Sequence, residues 1–226
     1  METTRTGDTM GLLEVVGLKD YKPTQADILI QQNVNEYIKT FVPQLNQKES
    51  IRNTVLELGK VFVGTKEIGT TNKGYWVSRF QKDLGLNGKA WCLSYIQFIY
   101  RVSSELHKPS FDILPYNTAG TQALFNWAFN RGYTFTDYSQ LQPADIIVWK
   151  NGATSLGHVG FVVSAAGNMI TTNEGNTNSA FSRDGGLVTE KTFNILRWGD
   201  IGKSKKIDRF VRGFISFDKI YQAAIF

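Results

Sequence analysis

The sequence contains one cysteine, Cys92, and two histidines among its 226 residues. A single cysteine excludes an intramolecular disulfide, and so few thiolate and imidazole ligands exclude a zinc site built from cysteines or from histidines. Apolar runs are only a few residues long, which excludes a transmembrane helix. The first residues show no continuous apolar stretch behind a basic start, so we expect no secretory signal.

Composition indicates an ordinary globular protein. Apolar residues make up 42% and charged residues 20%, and there is no low-complexity tract. The length suits one well-packed domain with an extension, or two small domains. The formal net charge of +5 suits an anionic polymer such as cell wall, nucleic acid or a membrane surface, although such a balance is also common by chance.

Helical periodicity dominates the first part of the chain. Thr24 and Asp27 form an approximate capping box for a helix that ends near Pro43, and a second helix starts near Glu49. The run that begins at Trp91 is long and lacks turn signals, which favours a buried helix with Cys92 in its first turn. Two further helices are predicted, at residues 75–84 and 121–130.

Short strands and turns dominate the second part. Strands are predicted at residues 145–149, 187–193 and 210–217, and a hairpin lies within residues 156–178. A turn is expected at residues 183–186, and a basic loop at residues 203–209. Because helices come first and antiparallel strands second, the predicted class is α+β.

The predicted hairpin brings polar side chains to His158. Directly paired residues of an antiparallel hairpin share a face. A three-residue loop centred on Gly167 places His158 opposite Asn176, with Glu174 on its diagonal, whereas a two-residue turn directs both partners to the other face. Either Glu174 or Asn176 can accept the Nδ1–H proton of His158 and orient the other ring nitrogen toward a nucleophile.

Cys92 is the candidate nucleophile. A helix N-terminus stabilises a thiolate and lowers its pKa, and its free amides, including that of Cys92, can bind an oxyanion. The alternative is that Cys92 and His158 are ordinary core residues. Gly157 and Gly160, however, leave room beside His158 for another backbone or a substrate. His107 has no such neighbours and is expected in a surface loop.

Six short motifs occur together in one order. They are residues 63–69 (VGTKEIG), Trp91-Cys92, residues 143–149 (PADIIVW), residues 157–163 (GHVGFVV), residues 174–178 (EGNTN) and residues 182–185 (SRDG). Over residues 48–217 the chain resembles a CHAP domain, the cysteine- and histidine-dependent amidohydrolase/peptidase relative of the NlpC and papain-like hydrolases. The resemblance implies a papain-like α+β fold in which N-terminal helices pack on an antiparallel sheet. It divides the chain into an arm and helix, residues 1–47, and a catalytic domain, residues 48–226.

The resemblance also implies the roles of four residues. By position, Cys92 is the nucleophile, His158 the general base and acid, and Glu174 the orienting residue. Asn176 is a second polar partner. Pairing in the hairpin by itself favours Asn176 for the orienting role, so the choice between Glu174 and Asn176 stays open at this point.

The chain departs from many relatives at two places. Many of them have Gln immediately before the cysteine, where this chain has Trp91, and this leaves the second oxyanion donor unassigned. Some bind calcium through an Asp-x-Asp loop ahead of the cysteine, but residues 83–90 lack that pattern. We therefore expect no required metal and no cofactor.

The function implied is peptidoglycan hydrolysis, as an amidase or endopeptidase that works through an acyl-enzyme. The expected partner is peptidoglycan rather than nucleic acid. Without a signal peptide, we expect synthesis in the cytoplasm and action on the wall, as a phage lysin or a virion-associated lytic protein. A toxin delivered by a secretion machine would share these features. The rival interpretations are a non-enzymatic wall-binding or virion structural protein that kept the fold, and a thiol protease or acyltransferase acting on proteins.

Overall fold

The structure is a computed structural model that describes residues 22–41, 51–107, 112–178, 185–199, 201–203 and 209–225. Its helices are α1 (Gln25–Phe41), α2 (Ile51–Val61), α3 (Tyr75–Lys82), α4 (Cys92–His107), α5 (Thr121–Phe129) and α6 (Phe217–Ile225). Its strands are β1 (Thr134–Phe135), β2 (Ile146–Asn151), β3 (Gly157–Ala166), β4 (Met169–Thr177), β5 (Leu187–Asn194) and β6 (Arg209–Ile215). Within these ranges, no helix has the length and apolar character needed to cross a membrane.

The strands form one six-stranded antiparallel sheet in the order β1-β6-β2-β3-β4-β5. β2, β3 and β4 follow one another as neighbours, and β6 returns to lie beside β2. The helix α4 packs against β3 and β4, and α2 packs against α4. The α+β class, with N-terminal helices packed on an antiparallel sheet, is confirmed.

Both faces of the central strands are buried, in two separate hydrophobic clusters. The larger cluster joins the helices to one face of the sheet and includes Ile146, Val148 and Phe161. The smaller cluster covers the other face and includes Ile147 and Trp149. Successive residues of β2 therefore alternate between the two clusters, which explains why this strand is an unbroken apolar run rather than an alternating one.

The capping box predicted for the first helix is confirmed. The backbone N–H of Asp27 donates to Oγ1 of Thr24 at 3.2 Å, and Oδ2 of Asp27 accepts from the backbone N–H of Thr24 at 2.8 Å. Several predictions lie outside the described residues. They are the arm at residues 1–21, the helix boundaries near Pro43 and Glu49, the division at residue 48, the first half of the turn at residues 183–186, and most of the basic loop.

One prediction needs correction, and two elements were not predicted. His107 ends α4 rather than lying in a surface loop, because Leu106 is still buried in the core, and Thr54 Oγ1 lies 2.8 Å from its Nε2 atom. The short strand β1 and the helix α6 were missed. α6 starts at Phe217, whose backbone N–H donates to Oδ1 of Asp145 at 2.8 Å, so its N-terminal cap comes from a residue distant in sequence.

The turn of the β3–β4 hairpin also differs from the prediction. Ala166 pairs with Met169, which leaves two residues in the turn instead of three. Val163 then has no partner on β4, and Phe161 pairs with Asn173. A three-residue loop would give this same Phe161–Asn173 pair. The extra residue is therefore present, but as a β-bulge within β3 rather than in the loop.

Candidate functional site

A buried imidazole–carboxylate pair lies at the start of β3. Nε2 of His158 is 2.9 Å from Oε2 of Glu174, and each residue is only 1% exposed. Since an ionised carboxylate can only accept, Nε2 carries the proton and Nδ1 carries the lone pair. The prediction that the partner takes the Nδ1 proton was wrong. Glu174 reaches across from the neighbouring strand and meets the nitrogen of the ring that lies farther from the backbone of His158.

Glu174 is held by further donors. Thr172 Oγ1 donates to Oε1 at 2.7 Å, and Thr177 Oγ1 donates to Oε2 at 3.2 Å. Nζ of Lys191 forms an ion pair with Oε2 at 3.2 Å. Burial alone would raise the pKa of Glu174, but the hydrogen bond from His158, the cation of Lys191 and the threonine hydroxyl outweigh it and keep that pKa below its usual value. The side chain is therefore an ionised carboxylate.

The surroundings of His158 favour the neutral form of its imidazole, whereas those of Glu174 favour its charged form. Burial lowers its pKa, the positive charges of Arg209 and Lys191 lower it further, and Glu174 opposes them only in part. Nδ1 of His158 is buried, and none of the described residues forms a hydrogen bond with it. A neutral ring with an unpaired Nδ1 is the form that can accept a proton.

Cys92 is the first residue of α4, as predicted. The backbone N–H of Tyr95 donates to the carbonyl of Trp91 at 3.0 Å, which closes the first helical turn around the cysteine. The backbone of Val159, the residue that follows His158 on β3, lies close enough to the sulfur of Cys92 to lower the pKa of the thiol. The fold thus brings the only thiol of the chain to the strand that carries His158.

The thiol is buried, and this overturns the expected lowering of its pKa. Burial raises the pKa of Cys92 to about 11, even though backbone hydrogen bonds from Leu93, Cys92 and Val159 and the charge of Arg209 oppose the rise. Cys92 is 7% exposed. The helix N-terminus does supply hydrogen bonds to sulfur, but loss of hydration outweighs them, so the resting side chain is a neutral thiol.

The glycines that flank His158 serve packing. A Cβ atom on Gly160 would lie 2.8 Å from Cγ of Glu174, and one on Gly157 would lie 2.2 Å from the carbonyl oxygen of Trp149. The space predicted for another backbone or a substrate is thus filled, at Gly160 by the carboxylate side chain itself. Gly160 is needed because Glu174 has to cross it to reach the imidazole.

Comparison with known proteins identifies the family. Residues 84–176 match the family model of the CHAP domain. The chain contains a CHAP domain. No curated protein and no solved structure matches the chain. The matched segment extends from just after α3 through most of β4, and so includes the cysteine, the histidine and both predicted orienting residues. A CHAP domain implies a hydrolase, an amidase or peptidase that acts on peptidoglycan.

Asn176 has a different environment from Glu174 within the CHAP domain. Its φ angle is 52°, a left-handed conformation that asparagine tolerates better than most residues, and it is 6% exposed. Its side chain forms no hydrogen bond with any residue in the described part of the chain. Of the two predicted partners, Glu174 is therefore the one bonded to the imidazole of His158.

Lys191 was not identified from the sequence as part of the site. One signal was present: Lys191 is two residues from Phe193 on β5, so it shares the face of a buried aromatic residue. A lysine in phase with the apolar side of a strand needs a buried partner.

Among the described residues, no group of three or more His, Cys, Asp or Glu side chains could hold a metal ion.

Proposed function

We propose that this CHAP domain is a thiol peptidoglycan hydrolase, an amidase or endopeptidase that works through an acyl-enzyme. In this proposal Cys92 is the nucleophile, His158 is the general base and acid, and Glu174 orients the imidazole. The observation that supports it most strongly is the 2.9 Å hydrogen bond between Nε2 of His158 and Glu174. It leaves Nδ1 of His158 without a proton, as a general base requires.

The charge states determine the order of events. Because the thiol and the imidazole are both neutral at rest, Nδ1 of His158 takes the proton of Cys92 as the sulfur attacks the amide carbonyl carbon. The carbonyl oxygen becomes an oxyanion, for which the backbone amides at the start of α4, directed at the sulfur in the resting protein, serve as donors. Substrate binding has to bring the sulfur and Nδ1 within hydrogen-bond distance, as catalytic contacts often tighten only in the complex.

Acid catalysis and hydrolysis complete the cycle. The imidazolium of His158 gives its proton to the leaving amine as the carbon–nitrogen bond breaks, and the acyl group stays on sulfur. The ring, neutral again, takes a proton from water as the water oxygen attacks the thioester carbon. The carbon–sulfur bond then breaks, the acid is released, and the imidazolium returns its proton to the sulfur of Cys92. Glu174 stabilises the imidazolium in both steps because the carboxylate already faces the ring.

The route to the wall belongs to the same proposal. A phage lysin or a virion-associated lytic protein is consistent with a peptidoglycan substrate and with the net charge of +5, since cell walls are rich in anionic polymers. A toxin delivered by a secretion machine fits the same features. Lysis of intact bacteria from outside, compared with lysis after expression inside a host, distinguishes these routes.

Digestion of purified peptidoglycan tests the function. We expect the wild type to release new amino groups, and mass analysis of the fragments to locate the cleaved amide. Cys92→Ala and His158→Gln should abolish release, whereas His107→Gln, which changes the other histidine, should retain it. Equal activity of wild type and Cys92→Ala would refute the mechanism. Saturable wall binding without cleavage would indicate a binding protein, and cleavage of proteins alone a thiol protease.

A further inference from the structure

A buried lysine lies behind the imidazole–carboxylate pair. The side chain of Lys191 is 4% exposed, and its Nζ atom is 3.2 Å from Oε2 of Glu174. The same ammonium donates a hydrogen bond to Oγ1 of Thr177, which in turn donates to Glu174. Lys191 pairs with Thr172 across β4 and β5. Besides His158, the side chains of Thr172, Thr177 and Lys191 therefore contact the carboxylate of Glu174.

Burial of a charged lysine lowers the stability of the folded state, so the charge of Lys191 calls for an explanation other than stability. Burial lowers the pKa of Lys191, and only the carboxylate of Glu174 compensates strongly. A buried ion pair contributes little net stability, and apolar residues of similar volume often replace one without loss. Phe193, on the same face of β5, shows that the neighbouring position accepts an apolar side chain. Packing therefore does not explain the ammonium.

The charges near His158 come from three strands. β4 contributes Glu174, β5 contributes Lys191, and β6 contributes Arg209, while Cys92 on α4 is neutral. With the imidazole neutral, the negative charge of Glu174 is balanced by Lys191. Protonation of His158 would put a third positive charge into the buried group, so the ammonium disfavours imidazolium and favours the ionised form of Glu174.

We propose that Lys191 is a positioning residue of the catalytic group: its ammonium fixes the carboxylate of Glu174 and keeps His158 a neutral base down to lower pH. The inference rests on the proposed function, in which His158 must be neutral to accept the proton of Cys92. His158 would then remain neutral, and able to act as a base, at pH values where an imidazole beside a carboxylate without a lysine partner is already protonated.

The pH dependence of hydrolysis is the first test. For kcat/KM on solubilised peptidoglycan, we expect the acidic limb of the Lys191→Met profile to move to higher pH by roughly one unit, since removal of one nearby buried charge has about that effect. Lys191→Arg, which keeps the cation, should restore the wild-type limb. Lys60→Met removes an exposed lysine from α2 and should leave it unchanged. A uniform loss at all pH values, with no displacement of the limb, would refute the proposal.

Titration of the imidazole by NMR separates this inference from the proposed function. The chain has only two histidines, so His107→Gln assigns both signals. The midpoint of His158 should rise by roughly one pH unit in Lys191→Met and stay in place in Lys191→Arg and Lys60→Met. An unmoved midpoint refutes the role of Lys191 even if peptidoglycan is cleaved, and a moved midpoint supports it even if peptidoglycan is not the substrate. Should Lys191→Met fail to fold, Lys191→Gln carries the same expectation.

Discussion

The backbone of Val159, one residue beyond His158, lies close enough to the sulfur of Cys92 to lower the pKa of the thiol. Backbone groups at the start of α4 and on β3 therefore surround the sulfur of Cys92. Because burial raises the pKa of the thiol, the proposed mechanism requires proton transfer to accompany attack instead of preceding it.

Alkylation of Cys92 tests this resting state. Since the thiolate is the reactive form and its pKa is about 11, the folded protein should react slowly with iodoacetamide at neutral pH. Its rate should then rise roughly tenfold per pH unit, as the thiolate fraction does. The protein unfolded in urea, whose thiol titrates near the ordinary value of 9.0, is the control. A rate already maximal at neutral pH would instead indicate a preformed thiolate–imidazolium pair.

The lowered pKa of Glu174 predicts a pH dependence of stability. A group whose pKa is depressed in the folded state stabilises it above the unfolded pKa, here the ordinary 4.5, and loses that effect as the pH falls through the folded value. We expect Glu174→Gln to reduce the free energy of unfolding by about 3 kcal/mol at neutral pH, because Lys191 loses its buried partner. The difference from wild type should shrink as the pH falls below 4.5.

Urea unfolding at a series of pH values measures this difference. Burial raises the pKa of Asp145 to about 6, so this residue makes the folded state less stable as the pH rises, the opposite of Glu174. Because both proteins contain Asp145, its effect cancels in the difference between them. Glu57→Gln is the matched control, because Glu57 pairs with Lys60 on the surface of α2. A Glu174→Gln difference that does not change with pH would show that the pKa of Glu174 is the same in the folded and unfolded states, and would contradict the lowered value.

Local patterns in the sequence were sufficient for most elements of the site. The capping box at Thr24 and Asp27 and the position of Cys92 in the first turn of α4 both follow from residues close in sequence. Strand alternation predicts that His158 and Glu174 share a face. The prediction depends on the number of residues between them, and it is the same whether the extra residue lies in the turn or in a bulge. The bulge at Val163 therefore gave the expected result through a turn that was predicted wrongly.

What local patterns could not provide depends on contacts between distant segments. The raised pKa of Cys92 results from burial under the assembled fold, whereas the helix N-terminus alone predicts the reverse. Lys191 meets Glu174 only because β5 pairs with β4 on the sheet edge. The choice of Nε2 over Nδ1 on His158 depends on side-chain reach across a strand pair, which no spacing rule specifies.

Docking of α6 depends on one buried carboxylate. Asp145 accepts the backbone N–H of Phe217 through Oδ1 and that of Gln142 through Oδ2, each at 2.8 Å. Asp145→Ala should lower the free energy of unfolding by about 2–4 kcal/mol, because two partly or fully buried N–H groups lose their acceptors. Asp137→Ala removes a comparable but exposed cap and should lower the free energy of unfolding clearly less. Equal losses in the two variants, measured by urea unfolding, would contradict the burial argument.

Gly160 should control activity through Glu174. A methyl group at this position would lie 2.8 Å from Cγ of Glu174 and 3.0 Å from the carbonyl oxygen of Asn173, so either the carboxylate or β4 has to move. We expect Gly160→Ala to lower kcat about tenfold or more, since a displacement of about 1 Å in a catalytic group has effects of that order. Gly120→Ala is the matched control, because its added methyl has no neighbour closer than 3.4 Å. In folded Gly160→Ala, NMR should show that the titration midpoint of His158 has changed. Full activity with an unchanged midpoint would mean that the contact between Glu174 and the imidazole is not needed for hydrolysis.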